Sequence, residues 1–133
     1  MKYIVSLVTA LLLNAAANLM MKIGMKSVAD SGGLLSSGPL RAIGTILQSP
    51  ILLTGLICFG LNAAFYMYAL QSRALKISVA YPIMVGGGFA VIALVARFHP
   101  ALHERLTAAQ LGGIILVFAG ILLIASHSDL TSA

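Results

Sequence analysis

ALLLNAAANLMMK, residues Ala10 to Lys22, decides how the rest of the chain is read. The stretch lies inside an uncharged run from about Tyr3 to Met21, nineteen residues long. As a helix rising 1.5 Å per residue it covers about 28 Å, close to the hydrocarbon thickness of a bilayer. Asn14, Asn18 and Lys22 fall four residues apart and so share one helical face. A polar stripe therefore runs along an otherwise apolar rod. No Asp or Glu is expected on this helix or in any other apolar stretch of the chain.

The whole composition agrees with a membrane protein. Of 133 residues, 60% are hydrophobic and 8% charged, and the mean hydropathy is +1.05. A soluble domain needs about 25% charged residues to cover its surface. We expect one all-α integral membrane domain over residues 1–133, with four transmembrane helices. The net charge is +5, but the eight Lys and Arg are scattered through short connections, with no basic run and no Trp. That pattern fits loops facing anionic headgroups and argues against nucleic acid as a partner. Cys58 is alone, which excludes an intrachain disulfide, and reads as a small buried hydrophobe. Lys2, the apolar run and Ala15-Ala16-Ala17 also resemble a secretory signal. The three later spans, and apolar residues continuing to Met21, favour an uncleaved first helix.

Residues Ser27 to Ser49 form a long connection, with a loop tip at Ala29 to Gly33. Within it, Ser37-Gly38-Pro39 reads as a helix start. Leu40, Ile43 and Leu47 then share a face, with Arg41, Thr45 and Gln48 off it. This is a short amphipathic helix suited to the membrane surface, the alternative being an irregular loop. Span two covers about Pro50 to Leu70 and carries Asn62 and Tyr66 on one face. The tight turn Gln71 to Lys76 makes spans two and three antiparallel neighbours.

Span three, about Ile77 to Phe98, contains Tyr81-Pro82 and then Gly86-Gly87-Gly88. Pro82 removes a backbone donor and the glycines weaken the helix, so a break at mid-depth is expected. Two uses suit Pro82, Gly86, Gly87 and Gly88: a hinge, or close packing against a ligand or neighbouring helix. His99 and His103 are four apart, but Pro100 intervenes and no third ligand is near, so no metal is expected. Span four runs from about Ala108 to Ser126, where Gly113 and Gly120 mark a face for helix pairing.

Four spans put both termini on one side, with Lys2, Arg73 and Lys76. The other side holds Lys22, Lys26, Arg41, Arg97 and Arg105. Three against five favours external termini only mildly and permits either orientation, or both.

No nucleophile–base pair, zinc spacing, phosphate-binding loop or dinucleotide fingerprint is present, so neither an enzyme nor a cofactor is expected. Polar groups inside spans tend to face a bundle interior or a wet cavity. On that ground Asn14, Asn18, Asn62, Tyr66 and Tyr81 are the candidate substrate-binding residues around a central cavity. They offer hydrogen bonds without charge, suited to hydroxyls, phosphate oxygens or ammonium groups. The asparagines could instead bond helix to helix. One four-helix chain has a packed centre, so two chains are expected to build a path.

The chain resembles the small multidrug resistance proteins of the drug/metabolite transporter superfamily. Asn14 eight residues before Lys22, Ile77-Ser78-Val79-Ala80-Tyr81 followed by Gly86 and Gly88, Glu104-Arg105-Leu106, and Gly113 with Gly120 carry the likeness. The resemblance implies a multi-pass protein of the bacterial inner membrane, working as a dimer, a form that includes antiparallel pairs in that family, with Gly113 and Gly120 at the contact. Two positions depart from it. Asn14 stands where that family has its proton- and drug-binding glutamate, and Met84 where it has a tryptophan. An amide releases no proton at physiological pH. Ala80-Tyr81-Pro82 and the longer first loop are more similar to the EamA-type small proteins, which include flippase subunits for undecaprenyl-phosphate-linked aminoarabinose. That branch implies an amphiphilic, lipid-linked substrate moved between leaflets, Asn14, Asn18, Tyr66, Tyr81 and Met84 lining its site, and a homodimer or heterodimer with a similar small protein. The alternatives are a small-cation or multidrug exporter that does not use a span-one glutamate, and a non-transporting accessory membrane subunit.

Overall fold

The computed structural model describes residues 1–30, 32–33, 38–73, 75–99 and 106–127. His103, Glu104 and Arg105 lie outside them, as do Ser31 and Ser37. Among the described residues the protein is helical: α1 (Lys2–Asp30), α2 (Pro39–Gln48), α3 (Pro50–Ala69), α4 (Ile77–Phe98) and α5 (Ala108–Ser126). All but α2 are long and apolar enough to cross a membrane. The all-α membrane architecture expected from composition is therefore the observed one.

Local chemistry sets the helix ends. Pro39 opens α2 behind Gly38, whose φ of 93° suits a residue without a Cβ. Pro50 opens α3, where the Ser49 hydroxyl accepts from the Leu52 N–H. Thr107 and Gln110 form a reciprocal capping box at the start of α5. In α2 the apolar Leu40, Ile43 and Leu47 are all exposed, Leu40 to 85%, while Ala42 packs inward. An uncovered apolar face on a ten-residue helix beside α3 is suited to the headgroup region.

Three expectations need correction. First, α1 does not end near Met21; it continues to Asp30, so Ser27 to Asp30 are helical and an acid does sit on this helix. Its 29 residues span about 43 Å, well beyond a hydrocarbon core of roughly 30 Å. The overhang carries Lys22, Lys26 and Asp30 into the interface, where charge and helix coexist. Second, α4 is not broken: it is continuous through Pro82 and the three glycines. Pro82, in the second turn, leaves only the Ser78 carbonyl without its intrahelical donor, and packing against α1 and α5 holds the glycines. Third, α3 and α4 are not the principal neighbours that their short connection suggests. α1 packs on α3 and on α4, and α5 packs on α4. Small residues of α1 explain the wedge: Ala10, Ala15, Ala17 and Gly24 are buried, so two helices can approach it.

Close approach is most explicit between α1 and α3. A Cβ on Gly55 would lie 3.3 Å from the Ala17 carbonyl oxygen and 3.2 Å from Met20 Cβ. One on Gly24 would run into the Leu52 side chain. Ser6, also buried, donates from its hydroxyl to the Phe65 carbonyl at 2.8 Å. Near the α3–α4 connection a core of Leu7, Ala10, Ala69, Leu75, Ala80 and Met84 closes the bundle.

Candidate functional site

The antiparallel register of α1 and α3 follows from Gly24 at Leu52, Gly55 beside Ala17 to Met21, and Ser6 at Phe65. Continued along the pair, it brings Asn62 to about the level of Ala10. On the other side of α1, Gly87 meets Leu11 and Gly88 meets Asn14, with 3.0 Å from a Gly88 Cβ position to Asn14 Nδ2. Asn14 and Gly88 thus meet between α1 and α4, with Asn62 on α3 about one turn away along the bundle.

Asn14 is half-buried and Asn18 exposed. Asn18 Nδ2 donates to the Asn14 carbonyl at 2.8 Å and to Asn14 Oδ1 at 3.3 Å. Both bonds stay within α1, and the stripe read from the sequence is this pair, its Asn14 amide turned towards Gly88. Asn62 is 5% exposed, and Tyr66 packs against the core cluster. Asn62 Oδ1 and the Tyr66 hydroxyl are both buried without a hydrogen-bond partner. A buried polar atom left unpaired costs about 1–3 kcal/mol. Two of them four residues apart on one helix make this the least satisfied part of the described bundle. Tyr81 on α4 lies within electrostatic range of Tyr66 and is 55% exposed, so the two phenols stand together near the α3–α4 connection.

The remaining candidates fall elsewhere. Met84 is a core residue packed with Leu7 and Ala80. Gly86 faces Ile121 and Val117 of α5, so the glycine triplet accommodates neighbours on both sides of α4. Gly113 and Gly120 meet nothing within 4 Å where a Cβ would stand. Two features went unread in the sequence. One is the buried Ser6 clamp, whose only signal was a hydroxyl in an apolar span. The other is a pair of apolar grooves, one between α1 and α3 ending at Lys2, the other between α4 and α5 ending at Arg97. Neither groove is lined by the five polar candidates.

No family model matches the chain, and no solved structure matches it. Two curated proteins do. The chain is 32% identical over 108 residues to an uncharacterized protein, y4nH, of Sinorhizobium fredii, covering 81% of each chain. It is 34% identical over 99 residues to the multidrug transporter PA4990 of Pseudomonas aeruginosa, covering 74% of this chain and 86% of that one. That extent of identity, carried on four helices of membrane length, places the function in the bilayer: the chain belongs to the small multidrug resistance-like family of membrane transporters.

Proposed function

We propose that the protein is a dimeric flippase-like transporter of the bacterial inner membrane, moving an amphiphilic, lipid-linked substrate between leaflets. The observation that carries this reading is an uncharged polar layer that slants through the bundle, from Tyr66 and Tyr81 near the α3–α4 connection to Asn62 and then Asn14 at Gly88. Asn14, Asn62, Tyr66 and Tyr81 can hydrogen-bond a polar head, and two of them hold buried atoms with no partner among the described residues. The apolar stretches offer no carboxylate to exchange a proton for a cation. A head seated in this layer would satisfy Asn62 and Tyr66 while its tail stays among lipid. Gly86 to Gly88, close against α1 and α5, would let α4 shift between two packings.

The relative named a multidrug transporter favours a second reading, export of a small cation or drug. Reconstituted vesicles separate the two. Asn14→Leu is expected to abolish movement of a fluorescent polyprenyl- or acyl-phosphate lipid while the dimer survives in detergent. Unchanged movement removes Asn14 from the mechanism. Proton flux coupled to a quaternary ammonium ion would decide for export.

A further inference from the structure

The two grooves lie in opposite halves of the membrane. The first is framed by Val5 and Thr9 of α1 and Phe65 and Tyr68 of α3, holds about 390 Å³, and ends at Lys2. The second is framed by Ala93 and Leu94 of α4 and Ile114 and Phe118 of α5, holds about 260 Å³, and ends at Arg97. Lys2 begins α1 and Arg97 is in the last turn of α4. With α1 and α4 running the same way across the bilayer, these cations stand at opposite interfaces. Each groove is walled almost entirely by carbon. The Ser6 and Thr9 hydroxyls on the first are turned to the backbone oxygens of Phe65 and Val5. An apolar trough in the hydrocarbon, closed at headgroup level by one positive charge, is complementary to a chain carrying an anionic head.

We infer that the grooves are a matched pair of sites for an anionic lipid, one in each leaflet, with the chain in the trough and the phosphate on Lys2 or Arg97. This deepens the flippase reading and rests on it: the grooves are the loading and release positions, and the substrate head is negatively charged. The phenols Tyr66 and Tyr81 at the depth of the first groove, and the amides Asn62 and Asn14 between the grooves, then serve a phosphate as hydrogen-bond donors. A lone interfacial lysine attracts anionic lipid wherever it stands. What distinguishes Lys2 and Arg97 is the trough behind each of them.

Native mass spectrometry of the full chain in micelles tests this with phosphatidylglycerol against phosphatidylcholine of the same acyl chains. The parent protein is expected to retain two phosphatidylglycerols per chain and no comparable phosphatidylcholine. Lys2→Gln and Arg97→Gln should each lose one, with about fivefold weaker binding at the altered groove, and the double variant should lose both. Ala64→Phe, which fills the first groove without changing charge, should act like Lys2→Gln. Arg73→Gln and Arg41→Gln, cations at the two interfaces that line neither groove, should leave the count at two. Equal retention of both lipids overturns the assignment, as do equal losses in the Arg73 and Arg41 variants. Intact selective binding in a protein that moves no lipid in vesicles leaves the grooves standing and overturns the flippase reading instead.

Discussion

Asn62 is the residue whose surroundings are hardest to explain by packing alone. It is nine-tenths buried in a membrane helix, and its side-chain oxygen accepts nothing. An amide kept for structure would be paired, because a polar group of similar size can be replaced by an apolar one at little loss. Asn62→Leu is therefore expected to stabilise the protein by about 1 kcal/mol, read as a higher melting temperature in detergent, while lipid movement falls by an order of magnitude or more. A lower melting temperature would mean that Asn62 holds the bundle together, and would withdraw it from the site. Asn14 poses the complementary question. Its amide lies against Gly88, with Asn18 bonded to it from one turn along. Asn14→Glu puts a carboxylate into a layer that otherwise holds only amides and phenols. The parent is expected to move its substrate at a rate flat between about pH 5.5 and 8, the range in which only His and perturbed groups change charge, whereas the variant acquires a pH step. A step already present in the parent would point to a proton carrier outside this layer.

Among the elements, α1 holds the arrangement together, because both α3 and α4 pack on it. The contact with α3 is a backbone approach permitted by small residues. A side chain on Gly55 would meet a carbonyl oxygen, which cannot swing aside. On the same helix Gly60 faces open space. Gly55→Val should cost about 1–3 kcal/mol through overpacking, seen as a loss of thermal stability, and Gly60→Val should be silent. Equal effects would show that helix propensity, not the α1–α3 approach, governs both. The elements themselves were legible in the sequence because apolar length and the Pro39 and Pro50 starts are local signals. Their neighbours were not legible. A short turn joins α3 to α4, yet α1 comes between them, since small residues on α1 decide which helices approach and no connection length records that. The polar layer was legible as a list of residues. What could not be read was which members are paired: Asn14 with Asn18 inside one helix, Asn62 and Tyr66 with nothing. Met84 enters the candidate site only through the family resemblance, whereas its burial with Leu7 and Ala80 depends on where α1 wedges in, which no local signal records.

The molecule as a whole exposes more surface than a compact chain of its size. Its accessible area is 8587 Å², against roughly 6,600 Å² for a compact soluble chain of the same mass. Lipid covers part of the excess, but α5 is the extreme case, with no buried residue and α4 as its main neighbour among the described helices. Its α4-facing side carries Val117 and Ile121, which meet Gly86. Gly113 and Gly120 stand roughly a quarter turn away at 100° per residue, where an added Cβ would meet none of the described residues within 4 Å. Two glycines seven residues apart in an otherwise bulky apolar helix leave a shallow seam into which a second α5 can settle. Van der Waals contact between backbones is the main force available for this in lipid. Gly113→Leu and Gly120→Leu fill the seam from outside and disturb no contact within the chain. Each is expected to convert the dimer to monomer in light scattering from detergent while the melting temperature of the single chain stays put. Gly60→Leu, equally free of internal contacts but on α3, should leave the dimer intact. If all three variants remain dimeric, the chains meet on another face. If all three dissociate, the loss is a general response to a bulky apolar substitution. Only the pattern in which the α5 pair acts and Gly60 does not assigns the seam, and with it the surface across which two polar layers would combine into one path.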